Sequence, residues 1–243
     1  MEYVLRRRSL VRRTVESIPV VGPVLVQPLG VLGFLIVVGF VITAVFAPLI
    51  APYEYTRQDV ARRLEGPSST YWLGTDSLGR DLLSRLIFGA RVALGTALPA
   101  VSIAVSGGLL LGLLSGFFGG FVDDVIVWIL DTLQTFPSTI LVLAVLALLG
   151  PSLINLVLII GFTWMPGYAR VTRAQVLSVK ENPFIEAERS LGASNRRIVL
   201  GHVLPNVLAP VLILAAMDLP TVVAAEAGLS LIGMGLRAPN PSW

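Results

Sequence analysis

The chain of 243 residues contains no cysteine, a single histidine, and only 14% charged residues. The first absence excludes disulfides and thiolate metal sites. One imidazole, His202, supplies too few ligands for a zinc or haem centre. The shortage of charge excludes most of the rest. A soluble domain carries about a quarter charged residues, whereas a chain that is 55% hydrophobic with a mean hydropathy of +0.82 cannot cover its own surface with polar groups. Two motifs are also missing. There is no G-x-x-x-x-G-K-[ST] phosphate loop, and the only lysine, Lys180, is not preceded by glycines, so ATP cannot be held in that manner. No G-x-S-x-G run occurs either, which leaves a membrane-embedded hydrolase without a nucleophile and base.

What the chain does have is long uncharged runs, so lipid is its expected solvent. Arg6, Arg7, Arg8, Arg12 and Arg13 head a basic segment, 1–28, and residues 29–51 follow with no charge. At ~1.5 Å per residue this run covers about 34 Å, enough for a retained first span and too long for the apolar part of a signal peptide. Residues 52–91 mix arginines with acids and read as a loop domain. From Val92 to Val122 there is again no charge, and Gly108, Gly112, Gly116 and Gly120 recur every fourth residue. On one helix they form a stripe where a neighbour can approach to backbone contact. Gly150-Pro151-Ser152 then divides a long apolar stretch into two expected spans, 125–149 and 152–170. A fifth expected span, 206–228, contains Pro210, Pro220 and Asp218. The expected architecture is thus an all-α, polytopic transmembrane helical bundle.

The formal charge of +3 comes mainly from arginine and reports topology before it suggests nucleic acid. With the N-terminus in the cytoplasm, the basic head and Arg170, Arg173, Lys180, Arg189, Arg196 and Arg197 all lie inside. They outnumber the basic residues of the first loop and Arg237 on the other side.

The segment around Asn182 to Ser194 carries the most local information. Asn182 can cap a helix that Pro183 begins, Gly192 can take the left-handed turn that ends it, and Ser194 can cap a second helix running to Pro205. Phe184, Ala187 and Leu191 share one face of the first helix. Such a helix-turn-helix can dock on a soluble partner or lie in the lipid headgroups.

Its residues are Glu186-Ala187-Glu188, three residues, Gly192, nine residues, then His202-Val203-Leu204-Pro205. This resembles the EAA loop of ABC importer permeases, whose pattern is E-A-A, three residues, G, nine residues, I-x-L-P. Glu188 stands in place of the second alanine and His202 in place of the isoleucine. Four other runs look like the dipeptide/oligopeptide/nickel permease family: Leu73 to Asp81, Trp164 to Arg170, His202 to Asn206, and Ala238 to Trp243.

The resemblance implies a type I ABC importer permease fold and a subunit that is not an enzyme. Two permease subunits would form the pathway, cytoplasmic ATPases would bind the ATP and drive it, and an extracytoplasmic substrate-binding protein would deliver a peptide, nickel or a related small solute. The chain itself would need no cofactor and no nucleic acid, and would lie in a prokaryotic cytoplasmic membrane. Residues 92–243 would be the permease domain, with a coupling loop at 174–205 in which Glu186, Ala187, Glu188, Gly192, Ala193 and Arg196 meet the ATPase. Family members continue into a sixth span, so the domain is expected to be incomplete at its C-terminus.

Other residues keep two readings. Gly74, Thr75, Asp76, Gly79, Arg80 and Asp81 could form a self-contained turn, or a docking surface or gate. Asp218 could contact a peptide amino group on the pathway or hydrogen-bond between helices. Asp131 and Glu226 read as structural carboxylates near span ends, and His202 as structural at the membrane boundary. A proton-coupled secondary transporter using these carboxylates is the alternative function, although no internal repeat of broken helices is visible.

Overall fold

The computed structural model describes residues 27–236 and 238–243. The chain forms two compact units, residues 1–91 and 92–243, and one helix runs through the boundary between them. The basic head of the chain and Arg237 fall outside the described residues.

In the first unit, α1 (Pro28–Val45) starts with proline at its first turn, where a missing N–H costs nothing. Its side chains are apolar on every side and mostly uncovered, Leu29 at 82% and Ile36 at 63% exposure. A helix of that kind belongs in lipid. The expected span of 29–51 is interrupted at Phe46, after which a short α2 (Ala47–Ile50) begins with Pro48 in its first turn. Ala51 is extended ahead of Pro52, as the ring of a following proline requires.

The charged segment read as a loop through Arg91 is a loop only to Asp81. Helix α3 (Leu82–Phe118) begins ten residues earlier than that reading allowed. Asp81 is the cause: its carboxylate accepts the Ser84 N–H at 2.7 Å and satisfies a donor at the helix start.

The regular elements of the second unit, among its described residues, are all helices. After α3 come α4 (Gly120–Gln134), α5 (Ser138–Leu149), α6 (Leu153–Lys180), α7 (Pro183–Ser190), α8 (Asn195–Ile198) and α9 (Leu204–Leu231). Among the described residues, four helices are long and apolar enough to cross a membrane, and a fifth crossing results if the bent pair α4–α5 is one span. The expected span over 125–149 is not one continuous helix. Thr135, Phe136 and Pro137 break it, and the two halves meet at 79°. Pro137 has no N–H to continue the ladder.

Helix α6 is the centre of this unit. Leu156, Ile160 and Val157 pack with Val142 and Leu146 of α5 and with Val222 and Leu229 of α9. Further along, Tyr168 and Val176 join Val203, Val207 and Val211, together with Ile185 of α7 and Ile198 of α8. The glycine stripe lets α3 into this core. A Cβ built at Gly112 would stand 2.5 Å from the Ala169 carbonyl oxygen, and one at Gly116 would stand 2.8 Å from Val176 Cβ. Gly108 likewise abuts Tyr168. Gly120 does not belong to the stripe. The helix has ended at Phe118, and Gly120 turns the chain with φ +52° into open space.

Candidate functional site

The helix-turn-helix is present, and its turn has the expected conformation. Gly192 has φ +82°, the Gly192 N–H donates to Arg189 O at 2.9 Å, and the Ala193 N–H donates to Glu188 O at 3.0 Å. These are the paired bonds of a glycine-terminated helix. Ser194 caps α8 by accepting the Arg197 N–H. Asn182 departs from its expected role. It occupies the cap position of α7, but its side-chain amide donates backwards to Ser178 O and Val179 O, the unsatisfied carbonyls at the end of α6. The second short helix does not run as a separate piece to Pro205. A π turn (Val199–Val203) carries α8 directly into α9, with Pro205 in the first turn of α9, where no donor is needed.

This loop is fastened by side chains that the sequence pattern did not single out. Ile185 and Ile198 are 1% and 0% exposed and plug the second core. Each contributes about 1.5–3 kcal/mol by burial. Lys180 Nζ donates to Phe117 O at 2.8 Å, placing a cation on the carbonyl end of α3. Arg189 and Lys180 also lie over the Phe117 ring. With these anchors made, Phe184, Ala187 and Leu191 remain uncovered, as do Glu186 and Arg196. Glu188 and His202, the two departures from the loop pattern, meet each other: Nε2 to Oε1 is 3.5 Å, and Phe184 lies against the imidazole edge.

The motif of the first unit closes on itself. Asp76 Oδ1 accepts the Leu78 and Arg80 N–H groups, and Oδ2 pairs with Arg80 Nε at 2.6 Å and Arg85 Nε at 3.7 Å. Burial works against ionisation of Asp76, but those N–H bonds and the guanidinium outweigh it and hold the carboxyl below the usual carboxylate range. Thr75 bridges to Asp81 across the turn, accepts the Glu65 N–H and donates to Arg62 O. Gly79, at φ +73°, leaves no room for a side chain because the Asp59 backbone lies against it. Gly74 packs in the same way on Glu65.

Asp131, Asp218 and Glu226, the carboxylates singled out in the sequence, each have a partner. Asp218 accepts a hydrogen bond from the buried Tyr168 hydroxyl at 2.6 Å, which ties α9 to α6. Asp131 pairs with Arg170 at 2.6 Å. Glu226, 1% exposed, accepts hydrogen bonds from Ser230 at 2.7 Å and Ser242 at 3.0 Å. The run Trp164 to Arg170 thereby faces two neighbours, Tyr168 towards α9 and Arg170 towards α4. The sequence reading missed a further pair. Asp123 takes two bonds from Arg173, at 2.7 and 2.6 Å, and one from Ser115. The signal was an acid about one turn inside the start of α4 and a base about two turns inside the end of α6.

A helical bundle of membrane-crossing length, carrying a fastened loop with an uncovered apolar face, defines a polytopic membrane protein built to work with other chains. Residues 108–243 match the model of the binding-protein-dependent transport system inner membrane component, and residues 25–67 match the N-terminal transmembrane domain of oligopeptide transport permease C. The chain is 39% identical over 215 residues to the dipeptide transport system permease protein of Alkalihalophilus pseudofirmus, covering 88% of this chain and 71% of that protein. Against the di/tripeptide transport system permease protein of Pseudomonas aeruginosa it is 39% identical, covering 87% and 72%. The glutathione transport system permease protein of Shigella flexneri gives 38%, covering 89% and 72%. This chain belongs to the family of binding-protein-dependent inner-membrane transport components. It is a multi-pass membrane permease subunit and not an enzyme.

Proposed function

We propose that the chain forms half of the translocation pathway of an ATP-driven importer of short peptides, with its N-terminus in the cytoplasm and with α7, the Gly192 turn and α8 seated on a cytoplasmic ATPase. The observation that carries this reading is the division of labour within the loop. Ile185 and Ile198 fix it to the spans, while Phe184, Ala187 and Leu191 stay uncovered. A contact that transmits force between two proteins needs both halves: a rigid root and a free apolar face with a charged rim. Glu186 and Arg196 supply that rim. Peptides are the favoured cargo because the similar proteins are named for dipeptides, tripeptides and glutathione. A second permease subunit, a pair of ATPases and an extracytoplasmic receptor complete the assembly.

A secondary transporter would need a carboxylate free to load and release protons, whereas Asp131, Asp218 and Glu226 are each engaged by an arginine or by hydroxyls. Two measurements test the reading. Uptake of a labelled dipeptide into vesicles should require ATP, stop with vanadate and ignore protonophores. A cysteine at Leu191 should cross-link to the co-purifying ATPase. Protonophore-sensitive uptake that persists with vanadate would overturn it.

A further inference from the structure

Helices α5, α6 and α9 flank a half-open cavity of about 390 Å³, whose lining includes Ser138, Thr139, Trp164, Ile160, Thr221 and Gly228. We propose that this cavity is a contact site for the passing solute, taking the uncharged amide and side-chain portion of a small peptide; the ligand class rests on the importer reading above. Depth is the first argument. Trp164 and Thr221 are each at least ten residues from either end of their helices, which is roughly 15 Å along the axis and so about half the hydrocarbon thickness. Three hydroxyls meet at this depth. None of Ser138, Thr139 and Thr221 has a hydrogen-bond partner among the described residues, whereas Thr96, Ser102 and Ser106 of α3 and Thr132 of α4 each bond back to a carbonyl one turn earlier.

Lipid cannot satisfy a hydroxyl, and non-regular backbone at membrane depth is tolerated only where it lines a cavity holding water or protein. The α4–α5 break places Ser138 and Thr139 at such a point. The cavity is therefore wet, or filled by something that hydrogen-bonds. Its other wall is apolar, with the Trp164 ring and Ile160 beside the small Gly228. Hydroxyls on one side and an indole on the other suit a peptide group with its side chain. Among the described residues no charged side chain lines the cavity, so the peptide's charged ends are not fixed there, and a solute held only through neutral groups can leave again.

The absence of native cysteine makes the test direct. In membranes carrying the complete transporter, Thr221→Cys and Ser138→Cys should react with a water-soluble, membrane-impermeant methanethiosulfonate, and millimolar dialanine should slow that reaction. Gly228→Leu should fill the cavity, since an added Cβ there meets nothing within 4 Å. Dipeptide uptake should then be lost while the complex still assembles and hydrolyses ATP. Reaction only with lipid-soluble reagents, labelling that dialanine leaves unchanged, or full uptake by Gly228→Leu would each overturn the site. An unmodified complex that imports no peptide with ATP would instead overturn the importer reading, and the peptide ligand with it.

Discussion

Two residues show how single positions set the behaviour of their surroundings. Gly192 sits at φ +82° with open space where a Cβ would be, so the cost of replacing it is backbone strain alone. Gly192→Val should cost about 1–2 kcal/mol locally and misalign α7 against α8. Asparagine tolerates the left-handed region better and should be milder. Normal membrane levels with reduced ATPase co-purification, graded valine over asparagine over wild type, is the expected pattern in a pull-down. Asp76 makes a different prediction. Its folded-state carboxyl titrates below the unfolded value of about 3.9. The stabilisation is therefore complete above that value and is lost as pH falls through the folded-state value, below about 4. Limited proteolysis of the 57–81 segment should be slow at pH 7 and accelerate only below about pH 4. In Asp76→Asn the segment should be cut faster at neutral pH and show a smaller change on acidification.

At the scale of elements, the contacts that hold helices together were the least legible part of the sequence. The stripe Gly108, Gly112, Gly116 is a fixed-period signal, and it does mark where α3 meets α6. Gly112→Leu should drive a side chain into the Ala169 carbonyl and Thr172 and lower membrane levels sharply. Gly95→Ala, on the same helix with nothing near it, should be neutral or slightly favourable, and quantitative blotting separates the two. Helix continuity was harder to read. Pro137 breaks a span, yet Pro99, Pro166, Pro210 and Pro220 sit inside unbroken helices. Neighbouring helices and widened turns can absorb a missing donor, and composition alone does not say where. The Glu188–His202 contact was equally invisible, since it joins α7 to the π turn across a loop. In a double-mutant cycle of Glu188→Ala and His202→Ile, measured as ATPase-coupled uptake, the double variant should retain more activity than the two single losses together predict.

For the whole molecule, membrane class and permease family were legible because uncharged length and an ordered set of motifs survive without any knowledge of packing. The Asp123–Arg173 pair was not, because 50 residues separate its members. Orientation can be tested on the intact protein. A cysteine at Ser69 should be modified by an impermeant reagent from outside the cell, and one at Ser194 only after permeabilisation. The reverse pattern would invert the orientation and remove the ATPase contact.

The π turn gives the molecule a mechanical property as well. Because α8, the turn and α9 run on without interruption, Asn195–Leu231 is one helical segment of 37 residues, about 55 Å long at ~1.5 Å per residue. Its first turn belongs to the loop, and its last turns carry Glu226 and Ser230. Such a rod works as a lever arm. A tilt of about 10° at the loop end moves the far end by roughly 10 Å over that length, more than the 8–10 Å between the axes of packed helices needs to change for a gap to open. Under the proposed ATPase contact, a push on that single turn of helix would be magnified across the bilayer by length alone.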